Sequence, residues 1–564
     1  MKYARKTLSL LLALVMVLAL ATTALADGYT VTITKGENDT ATHEYEAYQI
    51  FKGDLAEDGK TLSNITWGTG IDQGQLGNLA NAINALRDSS AEGYVALTAS
   101  STASDFANAI GELNASSDGT VAQAVASAIG AALSGTTEGT GGNTGVTGLS
   151  AGYYLIKDKD SSLANEENGA YTRFILQVVK DVTVAEKASV PTVIKKVDDK
   201  NDSDTTEDAV TWQDSADYDI GDSVPFQLTA TTASTVSDYV KYHVTFQDKQ
   251  STGLDKPTSY TITVLGKTLT LAADATQAVT EITTGGTKIS AEVVTPDSGY
   301  TFAIKVTFEN TTAGSKISTE ANSTAVVVDY SSVLNDNAVV GPTGNPNEVY
   351  LKYSNNPNAT DDNEEGKTPE DKVIVFTYKT IVNKVDENGD PLEGAAFTLY
   401  KKVADSNVPG AKTGAEIKAE LLGTNPSIKA DALEDESYYV AKAMTLVTGS
   451  NTSFEYVGLD AGVYVLVETV IPDGYNAFVS ETIIVTATHE VESANPTLLT
   501  LSADKVLTGD KETGILTGDI ENRQGSTLPS TGGIGTTLFY VIGSILVIGA
   551  VVLLVSKKRM NAID

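Results

Sequence analysis

Two stretches decide the fold that the sequence predicts: Val193-Ile-Lys-Lys-Val-Asp-Asp199 and Ile381-Val-Asn-Lys-Val-Asp-Glu387. Each is a short apolar strand pattern that contains a lysine, and each opens a region in which one strand pattern follows another. The segments that follow are rich in Val, Thr and aromatic residues and are separated by turn residues, as in a β-sandwich. We therefore predict that the two regions, 189–372 and 373–525, are distant copies of one β-sandwich architecture.

The region before the first opening, residues 27–188, mixes strand and helix patterns. Alternation of apolar and polar residues predicts a strand that begins at Tyr29 and a partner strand over 45–51. Three apolar stripes with helical spacing follow, formed by Leu76, Leu79, Ile83 and Leu86, by Phe106, Ile110 and Leu113, and by Val121, Val125, Ile129 and Leu133. Ser104 and Asp105 are predicted to cap the second helix. We predict an N-terminal α+β domain whose helices pack on its sheet.

The N-terminal segment has the pattern of an export signal. Three cations precede a short apolar run, and Ala24 and Ala26 form an A-x-A cleavage site. Residues 1–26 are therefore predicted to be a secretory signal peptide. We expect the mature chain to be exported and to begin at Asp27.

The C-terminal segment has the pattern of a membrane anchor. The uncharged run over 538–555 is long enough, at about 1.5 Å of helix per residue, to span a bilayer core. Three cations follow it, which favours a cytoplasmic C-terminus. The residues before the run are therefore predicted to lie outside the cell.

Composition limits the classes of function. The chain of 564 residues has no cysteine, which excludes disulfides and thiolate chemistry, and its net charge of -34 disfavours binding to nucleic acid. No phosphate-binding loop, nucleotide fingerprint or Ser-His-Asp motif is recognisable, and the acidic stretch 198–208 lacks the glycine of a calcium loop. His43, His243 and His489 are predicted to be surface or packing residues. The sequence predicts neither an enzyme nor a metal site nor a cofactor.

Five residues stand just before the apolar run: Leu528, Pro529, Ser530, Thr531 and Gly532. With the run and the basic tail after them, in a segment covering 526–564, they resemble the LPXTG sorting signal of Gram-positive surface proteins. The resemblance implies that a sortase cysteine attacks the Thr531–Gly532 peptide bond. The acyl group then passes to an amine, either of the peptidoglycan precursor or of a lysine in another subunit. The alternative is an ordinary membrane anchor.

The last β-rich region carries a second resemblance. Stretches 383–386, 391–397, 464–475 and 518–522 resemble the opening, the E-box and the last strand of a Cna protein B-type domain, which belongs to the Ig-like sandwiches. In that family a buried lysine, asparagine and glutamate form an intramolecular isopeptide bond. The resemblance assigns these roles to Lys384, Asn522 and Glu468. In the alternative interpretation Lys384 is exposed and Glu468 is a surface anion.

The chemistry explains why such a triad must be dry. An exposed lysine is an ammonium and cannot attack a carbonyl. Burial disfavours charge, so it lowers the pKa of the lysine and raises the pKa of the carboxyl group. The neutral amine can then attack the amide carbon while the protonated acid stabilises the developing charge and transfers a proton.

The region over 189–372 resembles the isopeptide-forming domain of fimbrial shaft subunits. The matching stretches are 191–197, 221–226, 245–248 with 253–254, and 344–347 with 353–357. The resemblance assigns Lys195 as the amine, Asp248 as the acid and Asn347 as the amide. Lys196 remains a rival for the amine, and Asn345 and Asn355 remain rivals for the amide.

Fimbrial shaft subunits of this kind polymerise through a lysine in a Tyr-Pro-Lys motif just after the first domain. Lys187 occupies that place here, but Ala185 and Glu186 stand where the family has Tyr-Pro. Lys187 is therefore a candidate linking lysine, and a solvated linker lysine is the alternative.

Taken together, the motifs predict a mainly β, wall-anchored structural protein: a pilus subunit assembled by sortase and stabilised by Lys-Asn isopeptide bonds, which supports adhesion. Its predicted partners are sortase, the peptidoglycan precursor, other pilin subunits and a host or surface receptor. A monomeric wall-anchored adhesin and a surface hydrolase on an anchored stalk are the alternatives.

Overall fold

The computed structural model describes residues 28–560 except 37, 117–118, 165, 187, 201–202, 204–209, 275–279, 359–363, 405, 447–451 and 526–533. The signal cleavage site at Ala24 and Ala26, the candidate lysine Lys187 and the motif from Leu528 to Gly532 lie outside the described residues. The described part is built mainly from β-sheets, with three helices in the first region, one in the third region and an apolar helix at the end. The predicted fold class is confirmed.

The described residues of the first region form two sheets and three α-helices. Its strands are β1 Tyr29–Thr34, β2 Tyr45–Leu55, β3 Leu62–Trp67, β4 Gly139–Gly141, β5 Gly145–Leu149, β6 Gly152–Asp158, β7 Arg173–Val178 and β8 Val182–Ala185, and its helices are α1 Leu76–Ala85, α2 Ala103–Ser116 and α3 Gly119–Gly130. The sheets have the orders β5-β1-β8 and β3-β2-β6-β7, and β4 pairs with β2. The apolar faces of the helices share one core with the second sheet, as the helical spacing predicted.

The second helix begins earlier than predicted. The Thr102 hydroxyl accepts a hydrogen bond from Asp105 N at 3.2 Å, and the Asp105 carboxylate accepts one from Thr102 N at 2.7 Å. This reciprocal arrangement is a capping box, with threonine as the cap and aspartate at the third helical position. The predicted cap at Ser104 is therefore wrong. The third stripe also overruns its helix, because Leu133 follows the end of α3 and pairs with Ile71 in a β-bridge.

The second region is a sandwich of two large sheets. Its strands are β9 Thr192–Asp198, β10 Trp212–Gln213, β11 Ser215–Asp217, β12 Ser223–Thr231, β13 Lys241–Gln250, β14 Ser259–Val264, β15 Lys267–Ala272, β16 Thr280–Thr284, β17 Thr287–Val294, β18 Phe302–Asn310, β19 Ala325–Val333, β20 Asn345–Ser354, β21 Glu365–Lys367 and β22 Asp371–Phe376. One sheet has the order β10-β9-β12-β19-β14-β15, and the other has the order β11-β22-β20-β13-β18-β17-β16, with β21 on β20. Alternate residues of facing strands fill the space between the sheets.

The third region is a smaller sandwich. Its elements are β23 Tyr378–Val385, β24 Ala396–Val403, β25 Lys412–Thr413, α4 Gly414–Thr424, β26 Tyr438–Ala441, β27 Thr445–Leu446, β28 Ser453–Leu459, β29 Gly462–Val470, β30 Glu481–His489, β31 Leu498–Ala503, β32 Thr508–Asp510 and β33 Ile515–Glu521. Its sheets have the orders β27-β28-β23-β33-β32 and β25-β26-β24-β29-β30-β31. The last helix, α5 Ile534–Met560, contains a 23-residue span over Thr537–Arg559 that is long and apolar enough to cross a membrane.

The two sandwiches differ in how their opening strands pair. In the second region β9 lies antiparallel to β12, whereas in the third region β23 lies parallel to β33 and antiparallel to β28. The proposed copy relation therefore extends to the two-sheet architecture but not to the strand order.

The predicted domain boundary between 372 and 373 falls inside β22, which pairs with β20 and β11 of the second region. Short three-residue 3-10 helices occur at Gln73–Gln75, Val236–Asp238 and Thr319–Ala321.

Candidate crosslinking sites

The strand β9 places Lys195 between the two sheets of the second region. Side chains alternate along a strand, and here Lys195 and Val197 point inward and are fully buried. Lys196 points the other way, is partly exposed and forms an ion pair with Asp214 at 2.5 Å. The rival amine therefore faces away from the core, and Lys195 is the lysine that the sandwich encloses.

Lys195 meets both of its predicted partners inside the core. Its Nζ donates to Asp248 Oδ2 and to Asn347 Oδ1, each at 2.5 Å, and all three residues have no exposed surface. Asp248 lies on β13 and Asn347 on β20, two antiparallel neighbours in the sheet opposite β9. A covalent Lys195–Asn347 link would therefore join the two sheets of the sandwich.

Burial sets the protonation of this group. Loss of hydration lowers the pKa of Lys195 to about 8, although the charge of Asp248 opposes the shift. Burial also raises the pKa of Asp248, against the opposing effect of Lys195. Asp248 Oδ1 has no hydrogen-bond partner among the described residues. Both shifts act toward a neutral amine and a neutral acid, which is the combination that the reaction needs.

The two rival asparagines are engaged elsewhere. The Asn345 amide donates to the Val339 and Val375 carbonyls, and its oxygen accepts from Val339 N. The Asn355 amide donates to the Leu163 carbonyl in the first region. Of the three asparagines, only Asn347 contacts the buried lysine.

The third region brings its predicted acid and amide together. Asn522 follows β33 directly, and its Nδ2 donates to Glu468 Oε1 at 2.8 Å and to Oε2 at 3.1 Å. Lys384 lies on β23, beside β33, and its Nζ donates to the carbonyls of Val385 at 2.9 Å and Ile520 at 2.7 Å. All three predicted residues are buried. Lys384 pairs with Ile520, two residues before Asn522. Its amine is hydrogen-bonded to backbone carbonyls and not to the Asn522 amide oxygen.

The third site shows the same electrostatic pattern. Burial lowers the pKa of Lys384 to about 8, while nearby carboxylates, chiefly Glu468, oppose the shift. Burial raises the pKa of Glu468, against hydrogen bonds from Phe478 N and the Asn522 amide. Asn522 Oδ1 has no partner among the described residues, so this carbonyl oxygen is open to an approaching donor.

The first region holds a buried ionic cluster that the sequence analysis missed. His43 Nδ1 lies 2.8 Å from Asp158 Oδ1 and 3.2 Å from Glu186 Oε1, and His43 Nε2 lies 3.1 Å from Asp39 Oδ1. Burial alone would lower the pKa of His43, but hydrogen bonds to Asp158 and Asp39 raise it to about 10. The cluster connects residues near the start of the first region with Glu186 near the end of that region. Asp158 and Glu186 lie more than one hundred residues after His43, so no local motif identifies the cluster.

A serine, a histidine and an aspartate also meet where the second and third regions touch. Ser215 Oγ lies 2.7 Å from His489 Nδ1, and His489 Nε2 lies 3.6 Å from Asp199 Oδ2. Ser215 is fully buried, and its hydroxyl also donates to the Glu490 carbonyl at 2.7 Å. Buried and committed to a backbone carbonyl, this serine is a packing group and not a nucleophile open to a substrate.

Two segments of the chain match models of known protein families. Residues 379–497 match the model of the SpaA prealbumin-like fold domain, and residues 521–561 match the LPXTG cell wall anchor motif. The trypsin-resistant surface T6 protein of Streptococcus pyogenes serotype M6 is 29% identical over 420 residues, which cover 67% of this chain and 70% of the relative.

Solved pilin structures also align with the chain. The T6 backbone pilin of serotype M6 Streptococcus pyogenes gives a TM-score of 0.45 at 17% identity and covers 90% of this chain and 100% of its own. The major pilin SpaD of Corynebacterium diphtheriae gives a TM-score of 0.40 at 14% identity, with 89% and 98% covered.

The two matched models define the class. The chain is an LPXTG-anchored surface protein of the Gram-positive cell wall, with a prealbumin-like domain before its anchor. The predicted class and location are thereby confirmed. Within that class, the chain is similar in sequence to the T6 surface protein of Streptococcus pyogenes.

Proposed function

We propose that this protein is the backbone subunit of a sortase-assembled pilus and that two intramolecular isopeptide bonds stabilise the subunit. One bond joins Lys195 to Asn347 with Asp248 as the acid. The observation that carries the proposal is the fully buried Lys195 amine, 2.5 Å from both an acid and an amide oxygen. The Lys384–Asn522 pair beside Glu468 forms the second bond.

The reaction conserves atoms and needs no cofactor. The neutral lysine Nζ attacks the asparagine Cγ, and the new C–N bond forms as the carbonyl electrons move to oxygen. The acid supplies and recovers protons. The Cγ–Nδ2 bond then breaks and ammonia leaves. In the third region a change of the Lys384 side-chain rotamer, away from the backbone carbonyls, precedes the attack.

The placement of the bonds suits a protein under tension. Lys195 lies on the first strand of its sandwich, and Asn347 lies 152 residues later in the opposite sheet. A covalent link there carries force directly, so the strands between the two residues need not separate. The chain has no cysteine, so disulfides cannot serve this purpose. Amide bonds also resist reduction, which disulfides do not.

The similar T6 protein is described as a trypsin-resistant surface protein and as a backbone pilin. Crosslinked sandwiches resist proteolysis because they rarely open far enough for a protease to bind. We therefore propose that trypsin resistance and polymerisation extend to this chain. Sortase joins Thr531 to a lysine of the next subunit and, at the base of the fibre, to the peptidoglycan precursor.

Lys187 is the proposed linking lysine. Replacing Lys187 with arginine should abolish the high-mass ladder in wall extracts and leave one wall-bound band, since arginine is not a sortase acceptor. Immunoblots of extracts from cells that carry each variant give the measurement.

Lys180→Arg is the matched control. Lys180 precedes β8 in the sequence, whereas Lys187 follows it, and we expect Lys180 to be dispensable for polymerisation. A ladder that persists in the Lys187→Arg variant would exclude this lysine. One band in the unmodified strain would favour the monomeric adhesin instead.

A further inference from the structure

We propose that Tyr330 is a catalytic residue for the Lys195–Asn347 bond: its hydroxyl passes a proton from Asp248 to the departing nitrogen of Asn347. This inference rests on the proposed function, because it assumes that the bond forms. It adds a fourth member to a site for which sequence resemblance names three.

The Tyr330 hydroxyl touches both reacting partners. It donates to Asp248 Oδ2 at 3.0 Å and accepts a hydrogen bond from Asn347 Nδ2 at 2.9 Å. Nδ2 is the atom that must leave as ammonia. The same Asp248 oxygen accepts from Lys195 Nζ at 2.5 Å. One continuous chain of hydrogen bonds therefore runs from the attacking nitrogen to the leaving nitrogen.

The third region shows why the second needs a relay. There the acid is a glutamate, and Glu468 contacts the leaving nitrogen of Asn522 directly at 2.8 Å and 3.1 Å. In the second region the acid is an aspartate, which is one methylene shorter, and its contact with the amide nitrogen runs through the tyrosine. Tyr330 fills the gap between the acid and the leaving group.

The proton path balances. When Nζ bonds to Cγ, Asn347 Nδ2 changes from a planar amide nitrogen, which only donates, into an amine with a lone pair, which can accept. The hydrogen bond to Tyr330 then reverses, and the hydroxyl proton moves to Nδ2. Tyr330 regains a proton from Asp248, which takes one from Nζ. Ammonia departs, and Tyr330 and Asp248 return to their starting states.

Packing holds the hydroxyl in this place. The Tyr330 ring stacks on Phe226 at 5.4 Å between centroids and meets the edge of Phe302 at 5.2 Å. The ring is almost completely buried. Burial raises the pKa of Tyr330 well above its usual value, so the group stays a neutral donor at rest. A fixed donor in a dry site is the arrangement that general acid catalysis requires.

The test replaces only the hydroxyl group. The mature chain is made by cell-free synthesis, and the loss of ammonia is followed by intact mass at intervals, with peptide mapping to assign each bond. Tyr330→Phe should slow formation of the Lys195–Asn347 bond by roughly 100-fold or more, which is the usual contribution of a general acid. The Lys384–Asn522 bond in the same molecule should form at its normal rate.

Tyr260→Phe is the matched control. Its ring lies 6.2 Å from that of Tyr330, it is also buried, and its hydroxyl has no hydrogen-bond partner among the described residues. This variant should form the bond at the unmodified rate. A comparison of unfolding temperatures for Lys195→Ala with and without Tyr330→Phe shows whether the hydroxyl matters to the fold alone.

The outcomes separate the two proposals. If the unmodified chain never forms the Lys195–Asn347 bond, the proposed function fails for this region. If it forms the bond and Tyr330→Phe does so equally fast, the relay is overturned and the crosslink stands. Equal slowing of bond formation by Tyr330→Phe and Tyr260→Phe would also overturn the relay, because the Tyr260 hydroxyl has no hydrogen-bond partner among the described residues.

Discussion

Replacing Lys195 with alanine is expected to lower the unfolding temperature of the second region by about 10–20 °C. The proposed Lys195–Asn347 bond closes a loop of 152 residues. Constraining a loop of this size in the unfolded chain is worth about 5 kcal/mol. The figure is an upper value, because unfolded chains keep some structure. The variant also leaves Asp248 buried without its amine, which destabilises the fold further. Differential scanning calorimetry of the mature chain measures the shift.

Lys196→Ala is the matched control for this experiment. Lys196 is the next residue on β9, but it points outward to a partly exposed ion pair with Asp214. Such pairs contribute about 1 kcal/mol or less. An equal loss of unfolding temperature in the two variants would contradict a covalent role for Lys195.

Replacing Thr531 with alanine is expected to remove nearly all of the protein from the cell wall. In the proposed reaction sortase attacks the Thr531–Gly532 bond, so a chain without the threonine keeps its apolar helix and stays in the membrane or is shed. Thr537–Arg559 is long and apolar enough to hold it there. Immunoblots of wall, membrane and medium fractions measure the redistribution.

Thr527→Ala, one residue before the motif, is the control and should leave the distribution unchanged. The same wall-bound amount in the Thr531→Ala variant as in the unmodified strain would overturn the sorting account.

The sequence predicted the anchor and the β-sandwiches because their signals are local. An apolar run of bilayer length and strands of alternating polarity can be read without knowledge of contacts. Lys195 and Lys196 are a second example. Alternation along β9 predicts that they face opposite sides of the strand, and in the structure Lys195 is buried while Lys196 is partly exposed. The class of protein and its location followed from such segments together with the family motifs.

The ends of helices, the domain boundaries and the pairing of strands were harder to predict. The helix α2 was predicted to be capped by Ser104 and Asp105, but its capping box is formed by Thr102 and Asp105, so the helix begins earlier. The β22 strand crosses the predicted limit of the second region, because it pairs with strands far back in the chain. Pairing between distant strands leaves no mark in the local sequence.

The contacts that complete the sites were also out of reach of sequence. Tyr330 lies on β19, in an alternating strand where it reads as an ordinary core residue. Its role depends on Asp248 and Asn347, which come from two other strands. The cluster around His43 likewise joins residues more than one hundred positions apart. Both groups of side chains are brought together only by the arrangement of the strands in the folded chain.

The central claim is that two Lys–Asn bonds form inside this chain, and intact-mass spectrometry of the folded, mature ectodomain tests it most directly. The account predicts a mass below the sequence value by two ammonia molecules. Lys384→Ala or Glu468→Ala should restore one ammonia, and Lys195→Ala should restore the other. A mass for the unmodified chain equal to the sequence value would contradict the account in both regions.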